Sequence, residues 1–167
     1  MSKTRMNLPT GQAGADKSRR LKPNMKIKIK RFDRGIDLPK QHSEHAAAFD
    51  LCAREKAVIA PKTVAYVPLN IVVETPKGHF MLLAGRSSLH KRGLMSINGI
   101  GIIDPDYSGD EDEVKAALYN FTDNEVVVAK GDRIMQGLFI RAEEWQWDEV
   151  EKMPNKTRGG FGSTGHH

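Results

Sequence analysis

The segment Asn98-Gly-Ile-Gly-Ile-Ile-Asp-Pro-Asp-Tyr-Ser-Gly109 opens on Asn-Gly, the strongest short signal for a β-hairpin, because both residues tolerate positive φ. The apolar run that follows, Ile100 to Ile103 with Gly101 inside it, predicts one buried strand. Asp104 falls where that strand should end, and Pro105 fixes a turn that also presents Tyr107. A hairpin with a carboxylate, an aromatic ring and close-approach glycines at one edge outlines a pocket. An ordinary Asp-Pro turn has the same letters, so the meaning of the segment depends on its neighbours.

Working outward, the neighbours are strands too. Met25, Ile27 and Ile29 alternate with Lys26, Lys28 and Lys30, the period of a half-exposed strand, and the lysines suit an edge. Ala46–Ala53, Val58–Ala60, Thr63–Glu74, His79–Ala84 and Leu94–Ile97 continue the pattern, divided by Pro61, Pro76 and Gly78. Glu113–Phe121, Glu125–Ala129 and Arg133–Ala142 complete it. Many short strands with Pro/Gly turns and β-branched residues predict an all-β sandwich or barrel. Only Ser88–Arg92, as a single turn, and the Glu143–Lys152 region invite helix.

Length and composition bound the chain further. Its 167 residues fit one domain with a real core. The pI of 9.3 points to a polyanion partner until the charge is located. Residues 1–23 hold six Lys or Arg and one acid, and the remaining 144 residues balance 20 basic against 20 acidic side chains. The excess therefore lies in a tail without hydrophobic period, expected to be disordered and suited at most to weak nucleic-acid contact. No apolar run has the length of a membrane span or the form of a signal peptide, so the expected location is cytoplasmic, without membrane contact. Cys52 is the sole cysteine; it excludes an internal disulfide and reads as a small buried hydrophobe. The expected divisions are a basic tail over residues 1–23, a β domain over 24–153 and a flexible Gly-rich arm over 154–167.

Two motif matches fail on context. Gly160-Phe-Gly-Ser-Thr-Gly165 has the letters of a dinucleotide fingerprint, but no helix follows it. Asp104-x-Asp106-x-Ser108-Gly109 opens like a calcium loop, yet Lys115 stands at the twelfth position, where a bidentate Glu belongs. What remains suits phosphate. Arg86 beside Ser87 and Ser88 offers a planar donor fork and two hydroxyls. The Gly159–Gly165 segment offers backbone N–H groups, the hydroxyls of Ser163 and Thr164, and the Phe161 ring for stacking on a base.

Taken together, the pieces resemble the trimeric deoxyuridine triphosphate nucleotidohydrolases, the dUTPases, which carry five ordered motifs. Ala47-Ala-Phe-Asp-Leu51, Arg86-Ser-Ser-Leu89, Asn98–Gly109, Gly131-Asp-Arg-Ile-Met-Gln136 and Gly159-Gly-Phe-Gly-Ser-Thr-Gly165 are similar to these motifs in that order. The resemblance spans residues 25–165. It implies a jelly-roll-like β fold, a homotrimer with sites shared between subunits, and Mg²⁺-assisted conversion of dUTP to dUMP and pyrophosphate. That activity limits uracil incorporation into DNA and supplies dUMP for dTMP synthesis.

By motif position, Asp104 would orient and deprotonate the water that attacks the α-phosphate. Tyr107 would pack on the deoxyribose and leave no room for a 2′-hydroxyl. Asn98, with the backbone around Gly101, would read the uracil edge. Arg86, Ser87, Ser88 and Gln136 would contact the phosphates, and Asp50 would support the hydration shell of the metal. Phe161 and Gly162 would cover the uracil, with Ser163 and Thr164 on the terminal phosphates. The chemistry is coherent in itself, since a triphosphate repels a nucleophile until cations and N–H groups neutralise it.

The chain departs from the family pattern in four places. Lys156 stands where Arg is usual, with Arg158 close by. Gly85 replaces a Pro, and the Leu89–Gly93 segment is one residue short. Asp110-Glu-Asp-Glu113 lengthens the loop after Gly109 and is expected to be a solvated acidic turn. The closing His166-His167 resembles the remnant of an affinity tag. A dCTP deaminase-like enzyme of the same fold should lack the Gly-rich aromatic tail. A binding trimer without turnover should have lost Asp104, Gln136 or Phe161.

Overall fold

The computed structural model describes residues 25–159. Eleven strands form: β1 (Lys28–Arg31), β2 (Phe49–Cys52), β3 (Ala57–Ile59), β4 (Val64–Pro68), β5 (Ile71–Glu74), β6 (His79–Gly85), β7 (Leu94–Ser96), β8 (Ile100–Ile103), β9 (Lys115–Asn120), β10 (Val126–Val128) and β11 (Arg133–Arg141). All recorded pairings are antiparallel. The largest sheet has the order β2-β11-β6-β8, the next β4-β9-β7, and two ribbons pair β1 with β5 and β10 with β3. Neighbours in a sheet are mostly distant in sequence, as in a jelly-roll-like sandwich whose strands cross between layers.

Period-two alternation builds the core. In β9 Ala116, Leu118 and Asn120 face inward, while Lys115, Ala117 and Tyr119 lie on the other face. Leu51, Val67, Ile71, Met81, Leu83, Ile134 and Met135 join them in one buried cluster. On the opposite face of the β4-β9-β7 sheet, Val64 and Met95 both stand in register with Tyr119. Val64, Tyr66 and Met95 are exposed there.

Four expectations are corrected. The run Thr63–Glu74 is two strands, broken at Leu69-Asn70, where Asn70 takes a left-handed φ of 69°. Asn98-Gly99 is a tight turn, yet it does not close a ladder: β7 pairs with β9 and β8 with β6, so the turn carries the chain from one sheet to the other. β8 is an edge strand rather than a buried one, with Ile100 and Ile102 at 54% and 50% exposure. Residues 143–152 form no helix. Trp145 and Trp147 touch edge to face at 4.6 Å between centroids, which suits extended chain, because residues two apart point to opposite sides of a helix.

The single turn expected near Ser88 is a 3₁₀ turn over Leu89–Arg92, with Ser88 at its N-terminus and Gly93, at φ 77°, closing it. Cys52 is only half-buried; burial, followed by the nearby Asp50 charge, pushes its thiol above the ordinary value. The basic tail over residues 1–23 and the segment Gly160–His167 lie outside the described residues. Among the described residues no helix is long and apolar enough to cross a membrane.

Candidate active site

The strand register of the largest sheet gathers three of the expected residues. Gln136 on β11 stands opposite Asp50 on β2 and opposite Ala84 on β6, so Asp50 and Gln136 occupy the same outward face. Arg86 follows directly on β6, its N–H bonded to Ile134 O at 3.2 Å. Its Nε lies 3.0 Å from Asp50 Oδ1, and Gln136 Nε2 donates to Gly85 O at 3.1 Å. A groove of about 410 Å³ opens over this row, lined by His42, Ser43, Ala46, Asp50, Arg86 and Gln136.

Asp50 is the hub of the row. Its side chain is 13% exposed, and Arg133 Nη1 reaches its other oxygen at 3.2 Å. The same Nη1 donates to His42 Nε2 at 3.1 Å, and His42 Nε2 is 3.4 Å from Asp50 Oδ2. Arg133 has no acceptor atom, so His42 Nε2 accepts, and the neutral ring then carries its proton on Nδ1. One carboxylate between two guanidinium groups leaves a net positive patch, suited to phosphate oxygens. Sequence reasoning missed His42 and Arg133 as members of this row. Arg133 lay inside a quoted motif, but His42 sits in an irregular loop with no periodic signal.

Ser87 and Ser88 are exposed at the mouth of the 3₁₀ turn, and Ser88 makes no side-chain capping bond. Their hydroxyls stand beside Arg86 and remain available to a ligand.

The Asn98–Gly109 segment forms a second cluster. Gly99 adopts φ 67°, Ile100 N–H bonds Asn98 O at 2.8 Å, and Ser96 Oγ holds Asn98 Oδ1 at 2.8 Å. Gly101 stands opposite Leu83; a Cβ there would lie 3.3 Å from Leu83 Cβ and 3.8 Å from Asn98 Nδ2. The absence of a side chain therefore keeps Asn98 and the strand backbone open. Asp104 follows Ile100 and Ile102 in the outward alternation of β8 and is exposed at the strand end. Its carbonyl accepts the Tyr107 N–H at 3.2 Å.

One chain does not bring the two clusters together. Ile103 pairs with Met81, whereas Gln136 pairs with Ala84. Asp104 thus stands level with Phe80, roughly 13 Å along the strands and about 10 Å across them from Gln136. Lys156 and Arg158 are exposed on an extended segment. Phe161, Gly162, Ser163 and Thr164 lie outside the described residues.

The acidic turn is also corrected. Asp110 and Glu111 are exposed, but Glu113 is buried, with Oε1 accepting from Arg54 Nε and from Asn70 N–H, each at 2.8 Å. A partner and a backbone donor make this carboxylate a structural anchor. Among the described residues no three His, Cys, Asp or Glu side chains converge to cage a metal. Asp50 supplies a single carboxylate beside the groove, a donor set that fits an ion held mainly by water and by phosphate.

Comparison with known proteins places this geometry. A family model described as dUTPase matches residues 34–165. The deoxyuridine 5′-triphosphate nucleotidohydrolase of Lactococcus lactis is 38% identical over 135 residues, covering 78% of this chain and 89% of its own. That of Helicobacter pylori strain J99 is 36% identical over 144 residues, covering 84% and 97%. Among solved structures, the Streptococcus mutans dUTPase superposes with a TM-score of 0.65 at 31% identity, covering 71% of this chain and 98% of its own. The dUTPase of Staphylococcus bacteriophage 80alpha shares the fold, with a TM-score of 0.73 at 20% identity over 84% and 98%.

Proposed function

The chain belongs to the dUTPase family, whose activity is hydrolysis of dUTP to dUMP, and we propose that its two clusters are the two halves of the active site. The observation that carries this reading is the groove over Asp50, Arg86 and Gln136, which combines with the family match to give a phosphate site of the expected composition.

In this reading Arg86, Ser87, Ser88 and Gln136 hold the phosphates, while Asn98 and the backbone near Gly101 take the uracil edge. Asp104 accepts a proton from water as the oxygen attacks the α-phosphate, and the bond to the bridging oxygen of the pyrophosphate breaks. A carboxylate fixed at a strand end by a turn is rigidly placed for that task, which typically contributes about 10²–10⁴-fold. Mg²⁺, bound through the phosphates with Asp50 on its water shell, would neutralise charge on the triphosphate. Lys156, Arg158 and the arm carrying Phe161 and Gly162 to Thr164 would close over the bound nucleotide.

The separation of Asp104 from Gln136 supports a site shared between subunits of a homotrimer, with one copy supplying Asp104 and another supplying Arg86. The exposed apolar side chains Val64, Tyr66, Met95, Ile97, Ile100 and Ile102 support such an assembly, since contiguous apolar surface marks interfaces. The test is incubation with each deoxynucleoside triphosphate, with and without Mg²⁺, scored for pyrophosphate and for the monophosphate. Release from dUTP alone, dependent on Mg²⁺, is the expected result; release from none of them overturns the reading.

A further inference from the structure

Glu113 does more than end the acidic loop. Its backbone O accepts the Tyr107 hydroxyl at 3.2 Å, while its side chain is locked from two directions by Arg54 and by the Asn70 N–H. Asn70 reaches that position only through a left-handed backbone, φ 69°. Two bonds to Asp33 hold it there: Asn70 Oδ1 accepts the Asp33 N–H at 2.6 Å, and Asn70 Nδ2 donates to Asp33 O at 2.9 Å. Non-glycine residues in that region persist where the surroundings over-determine them, and such sites cluster where geometry matters for function. Next in sequence, Val114 is bonded on both sides to the β4–β5 segment, its N–H to Ile71 O and its carbonyl to Leu69 N–H, each at 2.9 Å. The Glu113 carbonyl is therefore one of the most firmly held acceptors near the Asn98–Gly109 segment. The Tyr107 ring, itself 41% exposed, has its hydroxyl end tied to that point.

We propose that Glu113, clamped by Arg54 and Asn70, is a positioning residue for substrate specificity: it fixes the Tyr107 ring and thereby sets the discrimination between deoxyribose and ribose. The inference rests on Tyr107 being the sugar platform. A ring free to swing about its Cα–Cβ bond admits a 2′-hydroxyl by moving aside; a ring tethered at both ends must be displaced against a hydrogen bond. The acidic insertion contributes to the same hold. Asp112 Oδ2 accepts the Gly109 N–H at 2.7 Å, and Lys30 Nζ grips the Asp110 carbonyl at 2.6 Å. The loop between Tyr107 and Glu113 is thus pinned along its length.

The test compares dUTP with UTP, each by kcat/KM, in the parent and in Tyr107→Phe and Glu113→Gln. Tyr107→Phe removes only the hydroxyl of a half-exposed ring. It should lower the dUTP/UTP ratio about 3- to 10-fold, the worth of one hydrogen bond, mainly through improved use of UTP. Glu113→Gln weakens the clamp from behind and should shift the ratio the same way. A purely structural role would depress both substrates together and leave the ratio where it was. An unchanged ratio in Tyr107→Phe overturns the proposal whether or not the Glu113 variant folds. A parent that hydrolyses dUTP and UTP equally defeats the sugar-platform reading instead, and a parent inactive on dUTP defeats the proposed activity.

Discussion

The Arg86 guanidinium stands 3.0 Å from Asp50 with Arg133 on the other carboxylate oxygen, so one mostly buried anion orients two cations toward the groove. The relationship is electrostatic and directional. Without the carboxylate, two guanidinium groups would face each other across the row, and each would seek another acceptor. Asp50→Asn should therefore lower kcat/KM for dUTP by about 10- to 100-fold, the cost of about one to two charge-assisted bonds. It should also raise the Mg²⁺ concentration needed for half-maximal rate. Kinetics over a Mg²⁺ titration would check both; parent-like dependence would remove Asp50 from the site.

Asp104→Asn should reduce kcat by at least about 10²-fold, since an amide keeps the shape of the side chain but takes no proton. Binding of dUTP, measured by calorimetry, should stay within a few-fold of the parent. Turnover within about tenfold would show that another group is the base.

Selectivity should be strong. A pocket that hydrogen-bonds the uracil edge leaves its own polar groups unmatched when cytosine enters, so kcat/KM for dUTP should exceed that for dCTP by at least about 10²-fold. Gly101→Ala should erode it, because a Cβ there crowds Leu83 and approaches Asn98 Nδ2. The measured quantity is the dUTP/dCTP ratio in both proteins.

Acid stability should depend on Asp132. Burial works against ionisation there, but the Arg92 guanidinium at 2.7 Å and the Ala129 N–H outweigh it and hold the carboxyl below its ordinary value. A carboxyl lowered on folding contributes stability above the unfolded pKa, near 4, and loses it as pH falls through the lower folded value. Arg92→Met should cost about 1 kcal/mol at neutral pH, given partial exposure of the pair, and the deficit should shrink below pH 4. Chemical denaturation at several pH values tests the sign.

The strand pattern was legible because alternation is a local signal, and β2, β6, β9 and β11 fall within the expected runs. What escaped depends on contacts the sequence does not order. The break at Asn70 requires Asp33 and Glu113 to arrive from elsewhere in the chain. Whether Asn98-Gly99 closes a ladder depends on β6 and β9 outcompeting the local partner. The site was legible as a set of motifs, but their distribution over two distant clusters follows from register, and register belongs to the fold. Glu143–Lys152 carries helix formers, yet Trp145 and Trp147 recur at the period of extended chain.

The distance between Asp104 and Gln136 leads to a mixing experiment. Arg86→Ala and Asp104→Asn should each be nearly inactive alone. If both halves of a site came from one chain, every site in a mixed assembly would carry one defect or the other. If Asp104 and Arg86 come from different subunits of a cyclic trimer, co-refolding at equal ratio gives some sites an intact pair. Random assortment places Arg86 from the Asp104→Asn chain opposite Asp104 from the Arg86→Ala chain in roughly a quarter of sites. Activity should therefore recover to about a quarter of the parent's, and it should fall off when either variant is in large excess. No recovery, with mixed trimers demonstrated by differential tagging and mass measurement, would mean that the chain rearranges to join the clusters within itself.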